Sequence, residues 1–265
     1  MPHPEEGMVP AVGGGYPWRD RDPSPDEVER FRLMLSVFKD GSGNVRMDDG
    51  TTRADWRQVE RTLAECFGGA TNEDKGVFDV ILKPTDDEPF GLSAKTSQRR
   101  TDSRVLMELA NSPAKFKAAA IEDAVDWEAS SADGIGWSML KTVRGWHEEL
   151  RPVIDIDRSS YVVLTHDRKK IEYQLFRFPL ELPDAEQLDW SQRTSRGRAI
   201  VGKRDDDILI EFYPWSGGQV KFFPHGDSAP WHSEILELET PTKVTGLGGR
   251  AKEYWPELWA QAGGT

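Results

Sequence analysis

Hydrophobic positions fall into helical stripes through the first 150 residues and into strand-like runs after them. Ser24-Pro25-Asp26-Glu27 reads as a cap, a first-turn proline and early acids, the usual start of a helix. Phe31, Leu33, Met34, Leu35, Val37 and Phe38 supply its apolar face before Asp40-Gly41-Ser42-Gly43 stops it. Residues 40–52 read as a polar loop. A second helix is expected over residues 53–67, with Trp56, Val59, Leu63 and Phe67 spaced by three and four on one stripe. Gly68-Gly69 ends it. Residues 77–82 and 90–95 then read as two strands joined by an acidic, proline-bounded loop. Residues 105–109 suit either a third strand or the start of a helix. Further helices are expected over 112–128 and 137–150. The second half turns strand-like at 161–165, 171–178, 208–213 and 219–223. Pro214-Trp215-Ser216-Gly217-Gly218 signals a hairpin between the last two. An aromatic-rich helix over 251–262 closes the chain. No internal repeat is visible.

This pattern predicts three stretches: an arm over 1–25, a core over 26–150 and a β-rich remainder over 151–265. The arm holds six of the 17 prolines and Gly13-Gly14-Gly15, and is expected to be disordered or to order on a partner. Lys plus Arg number 34 against 46 for Asp plus Glu, a net charge of −12. That excludes indiscriminate, charge-driven nucleic-acid binding but leaves room for a local basic face. Cys66 is the single cysteine, so neither a disulfide framework nor a cysteine-rich zinc site is available. No signal peptide or membrane-spanning run is visible, and the expected location is the cytoplasm.

The chemistry concentrates in Asp79, thirteen intervening residues, then Ser93-Ala94-Lys95, on two neighbouring predicted strands. Side chains two apart on a strand point the same way, so Ser93 and Lys95 share a face. Phosphodiester hydrolysis needs a divalent cation on oxygen ligands, a poised water and a cation near the scissile phosphate. A second carboxylate is therefore required. Glu60, a charge on the helical stripe between Trp56 and Leu63, is one candidate. Glu108, separated from Lys95 by twelve residues, is the other. His147, His166, His225 and His232 show no metal-ligand spacing.

A helix with Glu60, a strand with Asp79 and a strand with Ser93-Ala94-Lys95 resembles the PD-(D/E)XK nuclease superfamily, which holds most type II restriction endonucleases. Most members carry an acid where this chain has Ser93, and a proline where it has Phe78. A subgroup with a Ser-X-Lys strand moves its catalytic glutamate downstream, and Lys95 to Glu108 is similar in spacing. The resemblance covers residues 53–112. It implies a restriction-endonuclease-like α/β fold, with a mixed central sheet flanked by helices and a mainly β C-terminal half. It implies Mg2+ as cofactor, Asp79 as central ligand, Glu60 or Glu108 as second carboxylate, Lys95 at the attacking water and Ser93 as a secondary contact. Double-stranded DNA is the implied substrate, cut by a homodimer or higher oligomer.

Two basic clusters are candidate DNA contacts: Arg99, Arg100 and Arg104, and Arg193, Arg196, Arg198, Lys203 and Arg204 in a loop-like setting. Trp56, Trp137 and Trp146 are expected in the core, whereas Trp215 and Trp231 suit surface packing or base stacking. Two other activities fit the same residues. One is a defence or repair nuclease acting on modified DNA. The other is a non-catalytic DNA-binding or interaction module on a degenerate nuclease fold, which Ser93 in place of an acid would favour.

Overall fold

A computed structural model of the chain describes residues 15–72, 76–85, 87–167, 172–195, 197–243, 246–254 and 256. The first helix, α1 (Pro25–Ser36), starts as its sequence demands. The Ser24 hydroxyl accepts from the Glu27 backbone, and the Glu27 carboxylate returns a bond to Ser24, a reciprocal cap. Its inward residues are Phe31 and Leu35, one turn apart, while Leu33 and Val37 are exposed. They stand about 200° round the helix from that pair. Two short strands, β1 (Val45–Arg46) and β2 (Thr52–Arg53), pair within the expected loop. Helix α2 (Trp56–Phe67) follows, capped by Asp55 and closed by Gly68 at φ 70°.

Three strands come next in one sheet: β3 (Gly69–Thr71), β4 (Val80–Leu82) and β5 (Phe90–Gln98). Residues 105–109 resolve as a strand, β6 (Met107–Asn111). Helices α3 (Pro113–Glu122) and α4 (Ala132–Glu148) differ in extent from expectation. Ala124 turns back at φ 55°, ending α3 early, and the Ser131 side chain caps α4 from Gly134 N–H at 3.3 Å. Asp123 ties the two together by accepting from Ser138 Oγ at 2.8 Å and from Lys141.

The second half contributes β7 (Ser160–Asp167), β8 (Glu172–Pro179), β9 (Asp189–Arg193), β10 (Ala199–Arg204), β11 (Asp207–Tyr213), β12 (Gln219–Phe222), β13 (Trp231–His232) and β14 (Leu236–Glu237). The 191–204 segment is therefore a hairpin, not a loop, with Ala199, Ile200 and Val201 buried. The 213–219 hairpin forms as its turn residues require, with Gly217 and Gly218 at φ 89° and 61°. Helix α5 (Gly246–Tyr254) begins before the expected position, and the rest of that expected helix lies almost wholly outside the described residues.

Seven strands build one mixed sheet, in the order β13-β8-β7-β5-β4-β3 with β14 also on β8. The β5–β7 pair is parallel and the other pairs are antiparallel. Five strands build an antiparallel sheet, β6-β12-β11-β10-β9. Both sheets draw strands from either side of residue 150. One face of the seven-stranded sheet buries Val80, Leu82, Leu92, Val162 and Leu164 with Leu35, Val59 and Leu63 of α1 and α2. Its other face packs Tyr161, Val163 and Phe178 with Ile210 and Phe212 of the second sheet and Met139 and Val143 of α4. The chain is thus α/β, with helices on both sides of a mixed sheet.

Three aromatic expectations change. Trp18 of the expected arm is 1% exposed and sits edge-on to Phe67 and Trp231, so the described end of that arm is core. Residues 1–14 lie outside the described part. Trp56 and Trp137 are about half exposed, 51% and 45%. Each indole is covered by a cation of its own helix, Arg57 at 4.6 Å and Lys141 at 4.9 Å, in place of the core. Among the described residues no helix is long and apolar enough to cross a membrane.

Candidate active site

The β4–β5 pair holds a fork. The first β4 residue in register is Val80, opposite Leu92. Asp79 N–H still donates to Leu92 O at 3.0 Å, but the backbone N–H of Ala94 takes a side-chain partner instead. Asp79 Oδ2 accepts it at 2.8 Å. The carboxylate therefore stands where a neighbouring carbonyl would be, near the plane of the sheet. Ser93 Oγ and Lys95 Nζ each lie 3.5 Å from the same oxygen. Phe78 fixes the approach to the fork. Its ring is buried and lies over Gly91, where a Cβ would come within 2.2 Å of it. A buried aromatic thus anchors the chain just before Asp79.

Strand alternation sorts the remaining groups. Leu92 and Ala94 pack towards α1 and α2, so Ser93 and Lys95 face the other side. Ser93 is opposite Tyr161 and Lys95 opposite Val163 on β7. β5 lies inside the sheet, between β4 and β7, and the Lys95 side chain is only 18% exposed. An edge-strand lysine that discourages aggregation would be exposed, so that role does not apply.

Glu60 comes from the α2 side. It is half-buried, and burial, then the charge of Asp79, pushes its carboxyl up from 4.5 to about 7. Lys95 and Arg57 pull the other way without cancelling this. Two carboxyls and one ammonium therefore share a local field, and the Glu60 carboxyl resists ionising chiefly because it is buried and secondarily because Asp79 is near.

Glu108 is not brought to this group. Beyond β5 the chain changes sheets, and β6 pairs with β12. Met107 points inward at 0% exposed, so its neighbour Glu108 points out, where its carboxylate accepts from the Gln219 amide. The spacing from Lys95 matches, but the change of sheet turns the side chain away. Among the described residues no group of three His, Cys, Asp or Glu could hold a metal ion; Glu60 and Asp79 are a pair.

A cleft of 360 Å³ opens beside Lys95, lined also by Ser93, Asn111, Ser112, Lys115 and His147. His147 is 6% exposed, and its Nε2 lies 3.2 Å from Tyr161 Oη. Burial, with a smaller push from Lys95, lowers its imidazole to about 4, so it is neutral at pH 7. A larger cavity of 620 Å³ includes Arg204, Asp207 and His225 and shares no lining residue with this cleft. Sequence reasoning missed Lys115, Asn111 and the His147–Tyr161 pair. Only the position of His147 at i+4 from Val143 on a buried helical face could have signalled the last.

The basic clusters are spent largely on internal acids. Arg99 pairs with Glu172 at 3.1 Å, and Arg100 and Arg104 both pair with Asp102 at 2.7 and 2.6 Å. Arg193 pairs with Glu211, and Arg198 pairs with Glu128 at 2.9 Å while lying 3.6 Å above the Trp215 ring. Arg204 donates to Gln187 at 3.2 Å. Lys203 is partly exposed on β10, and Arg196 lies outside the described residues. No protein-family model, curated protein or solved structure matches this chain.

Proposed function

We propose that the chain is a Mg2+-dependent DNA endonuclease of the PD-(D/E)XK kind, most like the type II restriction endonucleases. The observation that carries this reading is the fork: one Asp79 oxygen in contact with Ala94 N–H, Ser93 and Lys95, with Glu60 close enough to feel its charge. The donor set fits a hard cation. It consists of oxygens alone, and Mg2+ is commonly held by one or two carboxylates with the substrate's phosphate and waters completing the shell. Asp79 and Glu60 would hold the ion. When bound, Mg2+ neutralises charge on the phosphate and makes a water more acidic. Lys95 orients the attacking water and offsets charge developing on the phosphate. Ser93 and the Ala94 N–H fix the Asp79 carboxylate. Cutting both strands of a duplex calls for two such sites, hence two copies of the chain.

The test is plasmid cleavage with Mg2+ by the wild type beside Asp79→Ala and Lys95→Ala. Discrete fragments lost in both variants support the reading. Cleavage that survives either change overturns it. The pair of carboxylates in place of a three-acid group favours a second reading, a DNA-binding module without catalysis. Its signature is salt-sensitive binding with no cleavage in Mg2+ or Mn2+.

A further inference from the structure

We propose that Lys115, with Asn111 and Ser112, holds a phosphate of the substrate strand next to the one at Asp79 and Lys95. This rests on the nuclease reading and names a contact that reading leaves open. The cleft has two walls. One is β5, with Ser93 and Lys95; the other is the end of β6 and the first turn of α3, with Asn111, Ser112 and Lys115. Trp146 and Glu149 of the α4 end also line it.

The second wall carries donors that the protein does not use. Among the described residues Lys115 makes no ion pair; its ammonium lies 5.5 Å from the Trp146 ring centre, which holds it at the cleft. The Ser112 side chain makes no capping bond to its helix. That is unlike Ser24 and Ser131, which cap theirs. No hydrogen bond within the described residues engages the Asn111 amide. An ammonium, a hydroxyl and a carboxamide facing a lysine across a cleft form an anion-binding set. Glu149 is the opposing acid on the lining. At 360 Å³ the cleft is at the small end of ligand sites. That suits the sugar–phosphate backbone of one strand and not a whole duplex.

Lys95 is already engaged by Asp79 at 3.5 Å, so Lys115 is the cation left to position the strand. A cation that holds a non-scissile phosphate equally in the ground and transition states changes KM and not kcat.

The test uses the full chain and a fluorescent DNA duplex, with binding measured from low to high salt without Mg2+. Lys115→Ala is expected to weaken binding about 5–10-fold and to reduce the slope of log affinity against log salt by about one. In cleavage with Mg2+ it raises KM and leaves kcat near wild type. Lys115→Arg restores most of the affinity. Lys117→Ala, two residues along the same helix and lining a separate cavity, is expected to match the wild type. Wild-type binding and salt slope in Lys115→Ala would overturn the proposal, as would a loss shared equally by Lys117→Ala. Failure of the nuclease reading looks different: the wild type binds DNA but cuts none, and Lys115 is still tested by the binding arm. A wild type that neither binds nor cuts overturns both.

Discussion

Replacing Glu60 by glutamine separates a functional carboxyl from a structural one. The native state holds the Glu60 proton up to about 7, against 4.5 for the ordinary group. Between those values the folded chain binds a proton that the unfolded chain has lost. Stability from this group is therefore present below about 4.5, falls as pH rises towards 7, and is absent above it. The shift alone sets an upper limit of about 3 kcal/mol. Solvent screening at a half-exposed carboxyl reduces that to about 1–2 kcal/mol. Glu60→Gln keeps the shape and removes the charge. It should exceed the wild type in stability by that amount at pH 8 without divalent ions, with a midpoint raised by about 2–6 °C. The gap should close at pH 4.5. Adding Mg2+ should stabilise the wild type at pH 8 by mass action and leave the variant nearly unmoved, while cleavage is lost. Urea and thermal melts at pH 4.5, 6 and 8, with and without Mg2+, measure the stability changes, and a plasmid assay measures the cleavage. A variant less stable than wild type at pH 8 would refute the reasoning, because it would make Glu60 an ordinary stabilising surface acid. A functional site that costs stability is the expected pattern.

Three further outcomes follow from the same geometry. Gly91→Ala puts a methyl within 2.2 Å of the Phe78 ring; it should cost about 1–3 kcal/mol in urea melts and lower cleavage by shifting Asp79, and an unchanged melt would show that Phe78 does not anchor the fork. Glu108→Ala should stay within about 0.5 kcal/mol of wild type and retain cleavage; abolished cleavage would make Glu108 a ligand after all. His147, neutral in the fold down to about 4 against 6.5 when free, contributes stability that is present above 6.5 and lost as pH falls through 4. Over that window the loss is about 3 kcal/mol, and His147→Gln should flatten the acid limb of stability against pH.

Local signals predicted local structure well, and failures occur where tertiary pairing decides. Ser24-Pro25 and Gly68 fix helix ends through backbone hydrogen bonds and positive φ, which depend on neighbours in sequence. The half-buried setting of Glu60 near Asp79 was legible for a similar reason: a charge between Trp56 and Leu63 interrupts a stripe. Glu108 misled because a count of residues from Lys95 contains nothing about which sheet the chain has entered. The 191–204 segment misled because its basic residues read as a loop, although Ala199, Ile200 and Val201 lie between Arg198 and Lys203 as a buried strand. Trp137 misled because a flat aromatic on a stripe can be covered by its own helix's lysine as well as by a core.

The use made of arginine alters what a net charge of −12 implies. A phosphate approaching Arg100 or Arg104 must displace Asp102, which both already hold at under 3 Å. One at Arg198 must displace Glu128. Each such contact exchanges one ion pair for another, and the gain is the small difference between them. Arg100, Arg104 and Arg198, which look suited to DNA in the sequence, are therefore poor sources of affinity in the fold. Lysines hold a different position. Lys95 faces an acid that a divalent cation would occupy, which would free its ammonium for the substrate, and Lys115 lines the same cleft with no ion pair among the described residues. On the proposed activity, cation binding and substrate binding are then coupled through Asp79. Asp79 would then be neutralised by the cation it holds, and the ammonium of Lys95, 3.5 Å from Asp79 in the fold, would be free to act as a phosphate contact.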